Sequence, residues 1–231
     1  MLRKWDDLPD FMKCPKVKPY YDMLRRKRFS LLLKRIFDLA MALILMIVLA
    51  IPMLILAATI KFDSPGPVFY RQERVTTYGK KFRIHKFRTM VSNADKLGTA
   101  VTVDNDPRIT KIGRRLRSLR LDELPQIFDV IAGDMSFVGT RPEASRYVEA
   151  YTPEMYATLL LPAGITSEAS IRYKDEANLL DAATDPDRVY IEQILPDKMK
   201  YNLESLKNFS FTGDLATMLR TVAAVLGKDY D

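Results

Sequence analysis

The sequence predicts an α+β, mostly helical protein. An N-terminal re-entrant membrane helix is expected to lead into a compact cytosolic domain with a short β-hairpin and interfacial helices. Three observations carry this reading. Leu39 to Ile60 is a stretch of 22 residues without a charge, basic residues flank it on both sides, and alternating then helical patterns follow it. The expected division is a basic N-terminal arm over 1–33, a membrane helix over 34–61 broken at Pro52, and a cytosolic domain over 62–231.

The chain has 231 residues, 48% of them hydrophobic, enough for one domain with a core plus appendages. Its one cysteine, Cys14, allows no intrachain disulfide, and its one histidine, His85, puts a Cys/His zinc site out of reach. A catalytic histidine needs a carboxylate to orient it, and His85 sits in the basic run "KFRIHKFRTM". Chemistry must therefore rest on carboxylates, basic groups and hydroxyls. Any metal would be a hard, oxygen-liking cation such as Mg²⁺. Of the net charge of +7, the residues up to Asp38 carry +6. Nucleic-acid binders carry their charge through the folded domain, so no nucleic-acid partner is expected. A basic tract beside an apolar segment suits an anionic membrane surface.

Leu39 to Ile60 would span about 33 Å as a helix, against a hydrocarbon core of about 30 Å. It shows no polar stripe, unlike a soluble core helix. Pro52 removes a backbone donor and clashes with the carbonyl of Val48, which predicts a kink. The pieces on either side, about 20 Å and about 14 Å long, are each near one leaflet in thickness. "RRKR" at 25–28 and "KR" at 34–35 precede the segment, and Lys61, Arg71, Arg74, Lys80 and Lys81 follow it. Basic flanks stay cytoplasmic, and a helix that dips in and returns satisfies both. A kinked single span is the other reading.

Beyond the membrane segment, "VFYRQERV" and "KKFRIHKFRTM" alternate around "TTYGKK", which predicts a hairpin. "TVDNDPRIT" reads as a polar loop. Ile109 to Leu121 has helical spacing, and "ELPQIFDVIAG" reads as a second helix capped by Gly133, with Asp122 as its N-cap. "DMSFVGTRPEAS" reads as a loop stiffened by Gly139 and Pro142. Helices are expected near 153–161, over 196–207 and over 214–226. In the last of these Asp214 is the N-cap, and Leu215, Met218, Leu219, Val222 and Leu226 form one stripe.

Arg114, Arg117 and Arg120 are spaced three apart and lead into Asp122 and Glu123. One reading is a solvated helix face, whose pairs contribute about 0.2–0.5 kcal/mol each. The other is a phosphoryl-transfer site. Arg141 lies in a stiff loop, where a fixed guanidinium suits bidentate phosphate binding. Arginines that neutralise phosphates, with a carboxylate as Mg²⁺ ligand and nucleophile, would complete such a site.

"KRIFD", an apolar helix with a midpoint proline, "KFRTM", "RSLRLDELPQ", "GDMSFVGTRPE" and "PAGIT" occur in this order over roughly residues 30–228. Together they resemble the bacterial sugar transferase family, the monotopic phosphoglycosyl transferases. The resemblance implies transfer of a sugar 1-phosphate from a UDP-sugar to undecaprenyl phosphate, with release of UMP. It places the protein in the bacterial inner membrane, facing the cytosol, early in exopolysaccharide or capsule synthesis. It implies that Asp122 is the nucleophile and a ligand of Mg²⁺ (or Mn²⁺), that Glu123 is its catalytic partner, and that Arg117 and Arg141 bind substrate phosphate. Lys86 and Arg88 in "KFRTM" are further phosphate-binding candidates, and His85 is expected to be an interfacial side chain.

This sequence departs from the family pattern at Ile51, where many relatives have serine, and at Thr140, where proline is usual. After "PAGIT" it reads "SEASIRYKDE" rather than Gly-Trp, so the sugar does not carry over. The N-terminal arm precedes the family core; it would lie on the membrane or tie chains together as a homo-oligomer. The competing class is a non-catalytic membrane adaptor whose arginine face binds anionic lipid or a protein partner. Such an adaptor has no use for Asp122 and Glu123 beside Arg117.

Overall fold

The computed structural model describes residues 2–94, 106–173 and 185–225. Its N-terminal arm is an integral part of the domain. Short 3₁₀ turns at Trp5–Asp7 and Asp10–Met12 lead into helix α1, Lys18–Arg26, which has a proline in its first turn. Leu8, Met12, Val17, Tyr20, Tyr21 and Leu24 are buried in one cluster with Tyr147, Met155, Leu160, Leu195 and Met199. Burial of such side chains stabilises by about 1.5–3 kcal/mol each. The arm was expected on the membrane or between chains. Most of its apolar side chains face its own domain, while Phe11 is exposed.

Helix α2 is one element of 36 residues, Arg28–Asp63, with Pro52 inside it. The expected helix over 34–61 thus begins earlier and continues through Pro52, so the expected break is not an interruption of the helix. Lys34, Asp38, Ala42, Met53 and Ile60 are buried along one stripe, and Leu45, Leu49 and Leu56 pack beside it. Ile44, Ile47, Val48, Ile51, Leu54 and Ile55 are exposed. The N-terminal end of the stripe is polar. Lys34 donates to the Val138 carbonyl at 2.8 Å and to Asp214 at 2.6 Å, and Arg35 donates to the Val130 carbonyl at 2.8 Å.

The expected hairpin is present. Strand β1, Phe69–Val75, pairs antiparallel with β2, Lys81–Phe87. Tyr78 and Gly79, both at positive φ, turn the chain between them. Phe82 and Ile84 point into the core with Ala42, Ile127, Val130 and Met135. Of the expected polar loop, residues 102–105 lie outside the described residues.

Helix α3, Lys111–Ser118, starts at Thr110, whose hydroxyl accepts the Gly113 amide at 3.0 Å. It ends sooner than the spacing predicts. Arg120 adopts a left-handed conformation (φ 56), and Leu121–Glu123 forms a 3₁₀ turn. Arg120 is therefore off the helix that carries Arg114 and Arg117. Helix α4, Gln126–Ala132, follows Pro125, so Asp122 is not its N-cap. Gly133 closes α4 at φ 87, as expected.

Part of the expected "DMSFVG" loop is a strand. Strand β3, Met135–Val138, pairs in parallel with β4, Ala163–Thr166. Gly139 and Gly164 let the two chains meet, since a Cβ on Gly164 would sit 2.2 Å from the Gly139 backbone. Helix α5, Ser145–Val148, precedes a helical segment at the expected place, Met155–Leu160, which is of 3₁₀ type. Helix α6, Glu168–Arg172, follows β4. Helix α7, Pro186–Val189, runs through a π turn into α8, Leu195–Lys207. Helix α9, Phe211–Val225, starts before Asp214, so Asp214 is not its N-cap; it instead bonds Lys34 of α2. Met218 packs on the core, whereas Leu219 and Val222 are exposed, so the expected stripe divides between two faces. Leu226 lies outside the described residues.

Candidate active site

The sharp turn at Arg120 leads into the 3₁₀ turn Leu121–Glu123, which carries the dyad. Asp122 and Glu123 line an open cavity of about 1820 Å³ together with Lys86, Arg88, Arg114, Arg117 and Arg141. The hairpin supplies Lys86, α3 supplies Arg117, and the loop after β3 supplies Arg141. Sequence elements far apart in the chain thus converge on one dyad.

The two carboxylates differ in their surroundings. Lys86 donates to Glu123 Oε1 at 2.8 Å, and the Arg141 guanidinium bonds both oxygens of Glu123. Burial alone would raise the Glu123 carboxyl, but Arg141 and Lys86 hold it well below the usual range. Asp122 accepts no side-chain hydrogen bond among the described residues. Burial pushes its carboxyl above the usual value; Lys86 opposes that, Glu123 adds to it, and Arg117 and Arg141 draw it back. The dyad therefore pairs a clamped, ionised Glu123 with a desolvated Asp122 that faces the cavity. A carboxylate of this kind is poised to meet an electrophile or a hard cation.

Arg88 has a different place from the one expected. It is 5% exposed, and its donors reach the carbonyls of Ile60, Ser64 and Pro65 and the Ser64 hydroxyl. It ties off the C-terminal end of α2, whose last carbonyls have no helical partner. Its terminal nitrogens thus hold the helix end, while its Nε is buried without a hydrogen-bond partner among the described residues.

His85 is also placed differently. Its Nδ1 lies 2.7 Å from Asp129 Oδ1, and its backbone amide donates to Asp129 Oδ2 at 2.8 Å. The pair ties β2 to α4 and lies outside the cavity lining. The structure thus gives His85 a tie between β2 and α4.

A buried network behind Arg141 was not foreseen. Glu143, two residues on, accepts a hydrogen bond from the Tyr190 hydroxyl at 2.6 Å. Lys198 of α8 donates to the same hydroxyl at 3.0 Å and lies 3.7 Å from Glu143. The Val75 amide donates to the Glu143 carbonyl at 2.9 Å, and Arg74 reaches the Pro142 carbonyl at 3.4 Å. These contacts hold the backbone on which Arg141 stands. Lysines on helices are ordinary surface residues, so no signal marked Lys198.

No three His, Cys, Asp or Glu side chains gather in one place among the described residues. Lys86 and Arg141 engage Glu123, which leaves Asp122 as the available carboxylate. That donor set fits a cation held by one protein carboxylate and completed by phosphate oxygens and water, the habit of Mg²⁺.

A mostly helical α+β domain clasped along one long apolar helix, with a carboxylate dyad among cations, defines a membrane-associated protein with a site suited to anionic ligands. Residues 29–228 match the bacterial sugar transferase family, and the chain belongs to that family. It is 37% identical over 192 residues to the UDP-N-acetylgalactosamine-undecaprenyl-phosphate N-acetylgalactosaminephosphotransferase of Aeromonas hydrophila, covering 79% of this chain and 42% of that protein. It is 36% identical over 200 residues to the UDP-glucose:undecaprenyl-phosphate glucose-1-phosphate transferase of Caulobacter vibrioides, covering 85% and 70%. It is 37% identical over 210 residues to the exopolysaccharide production protein PSS of Rhizobium leguminosarum bv. phaseoli, covering 87% of this chain and 100% of that protein. The chain thus spans less than half of the Aeromonas relative.

Proposed function

We propose that this protein transfers a sugar 1-phosphate from a UDP-sugar to undecaprenyl phosphate at the cytosolic face of the bacterial inner membrane, as an early step of exopolysaccharide or capsule assembly. The observation that carries the reading is the division of labour in the dyad, with Glu123 clamped by Lys86 and Arg141 and Asp122 left facing the cavity. Family membership and the substrates named for the relatives support it.

In the reaction, an Asp122 oxygen attacks the phosphorus that bears the sugar. The bridging P–O bond breaks, and UMP leaves with the bonding pair. The product is an acyl phosphate on Asp122 that carries the sugar. A phosphate oxygen of undecaprenyl phosphate then attacks the same phosphorus, and the Asp122 carboxylate departs unchanged. The aspartate splits one difficult transfer into two easier ones. Arg117 and Arg141 neutralise the diphosphate as charge builds on its oxygens. Glu123 keeps Lys86 and Arg141 in position and holds a negative charge beside the nucleophile. Asp122 would be the residue to hold Mg²⁺, a cation that would supply charge neutralisation for the leaving group.

The packing of α2 supports a pose within one leaflet. The helix touches its own domain from Lys34 to Ile60, so a perpendicular span would draw the hairpin and α4 into the hydrocarbon. The test of the function is UMP release and lipid-linked sugar formation across a panel of UDP-sugars with undecaprenyl phosphate. Turnover by the wild type with one of them, and none by Asp122→Asn, is the expected result. Equal turnover by Asp122→Asn overturns the assignment.

A further inference from the structure

The cavity around Asp122 is larger than one substrate needs. Ligand pockets commonly measure about 300–1,000 Å³, and this one measures about 1820 Å³. Its lining divides into two chemistries. Around the dyad it is charged. Away from the dyad it is built from Leu45 and Leu49 of α2, Ile127 of α4, Phe137 of β3, Ile165 of β4 and Ala224 of α9.

The apolar part is one continuous wall. Phe137 and Ile127 belong to the cluster against which Leu45, Leu49 and Ile165 pack. Thr166 of β4 bonds Thr221 of α9 at 2.7 Å, which fixes α9 as its far side. Ile127, in the first turn of α4, follows Glu123 by four residues and lines the same cavity, so the wall runs close to the dyad. At the other end, α2 turns Ile44, Ile47 and Val48 outward, and α9 turns Leu219 and Val222 outward. The wall is thus continuous with the apolar exterior of both helices, and its inner end meets Lys86, Arg117 and Arg141.

We infer that the groove between α2 and α9 admits the isoprenoid chain of the acceptor from the membrane, so that its phosphate arrives at Asp122 from the side of Ile127 and Phe137. A groove greasy at one end and cationic at the other matches a long prenyl chain with a single phosphate head. The inference deepens the proposed function and rests on it. The donor then occupies the remaining charged part, towards Arg146, Asp187 and Lys198. The two substrates use separate entrances.

The test separates the two halves of the reaction. Ala224→Trp fills the groove, and Ala216→Trp places the same bulk on an exposed position of the same helix outside the groove lining. With a UDP-sugar alone, both variants should form the covalent adduct as the wild type does. With undecaprenyl phosphate added, Ala224→Trp should show an acceptor KM raised roughly tenfold or more, and Ala216→Trp should not. An acceptor KM for Ala224→Trp within twofold of wild type, or equal losses in adduct formation and acceptor use, overturns the inference. A wild type that forms neither adduct nor product refutes the proposed function instead. A second measurement needs no turnover and no variant: wild-type protein is photolabelled with a benzophenone-bearing prenyl phosphate and the labelled peptides are mapped. Label on residues 45–49 or 221–225, competed by undecaprenyl phosphate and not by phosphatidate, supports the groove. Label confined to other segments, or equal competition by phosphatidate, removes it.

Discussion

Lys86 and Glu123, 37 positions apart, meet at 2.8 Å, and this contact separates the two carboxylates of the dyad. It commits Glu123 to the hairpin and to Arg141, and leaves Asp122 as the group that faces the cavity.

Removal of Arg141 should therefore do more than remove a phosphate contact, because it also loosens Glu123. Breaking a buried charge pair typically costs about 2–5 kcal/mol, and the lower figure is roughly a thirtyfold rate loss. Arg141→Ala should lose at least that much kcat/KM, while Arg115→Ala, exposed on α3 and outside the cavity lining, should lose little. Equal losses in a steady-state assay would return the arginines to a solvated face.

Asp122→Asn should abolish turnover and raise stability. The Asp122 carboxyl is pushed above its usual value, chiefly by burial, so its ionised form is disfavoured in the folded state. That penalty is full above the folded pKa, and it disappears as pH falls below the unfolded value of 3.8. Thermal unfolding in detergent at pH 7 should show Asp122→Asn melting higher by about 2–4 °C for each kcal/mol relieved. The gain should shrink towards pH 4. A lower melting temperature at pH 7 would contradict the electrostatics.

Arg88→Met tests the tie at the end of α2. Its loss strands the Ser64 carbonyl, while those of Ile60 and Pro65 keep the Ser64 amide and the Ser92 hydroxyl as donors, and a stranded buried group costs about 1–3 kcal/mol. A melting temperature lower by several degrees with an unchanged KM for the UDP-sugar is expected. A raised KM with unchanged stability would make Arg88 a phosphate ligand after all.

Much of this was legible in the sequence because it depends on short-range chemistry. The hairpin has period-two alternation across Phe69–Val75 and Lys81–Phe87, and Gly133 suits a left-handed cap. The dyad and its arginines stand in motifs a few residues long. What was not legible depends on long-range pairing. β3 is four residues with no exposed face, so no alternation marks it, and its partner begins 28 positions later. The arm showed no more than basic charge, while its burial depends on Tyr147, Met155 and Leu195 far downstream. His85 lacked a carboxylate nearby in the chain, and Asp129 reached it only through the packing of α4 on β2.

The pose of α2 predicts that both flanks stay in the cytosol. In a Cys14→Ser background, Ser30→Cys and Lys81→Cys should escape an impermeant thiol reagent in intact cells and react after permeabilisation. Labelling of Ser30→Cys alone in intact cells would show a spanning helix.

The mass of the intact protein after incubation with its UDP-sugar alone tests the central claim most directly. The account predicts a gain of one sugar phosphate, localised to Asp122, lost on addition of undecaprenyl phosphate and absent from Asp122→Asn. Turnover with both substrates but no adduct with the donor alone would contradict it, and would make the transfer direct.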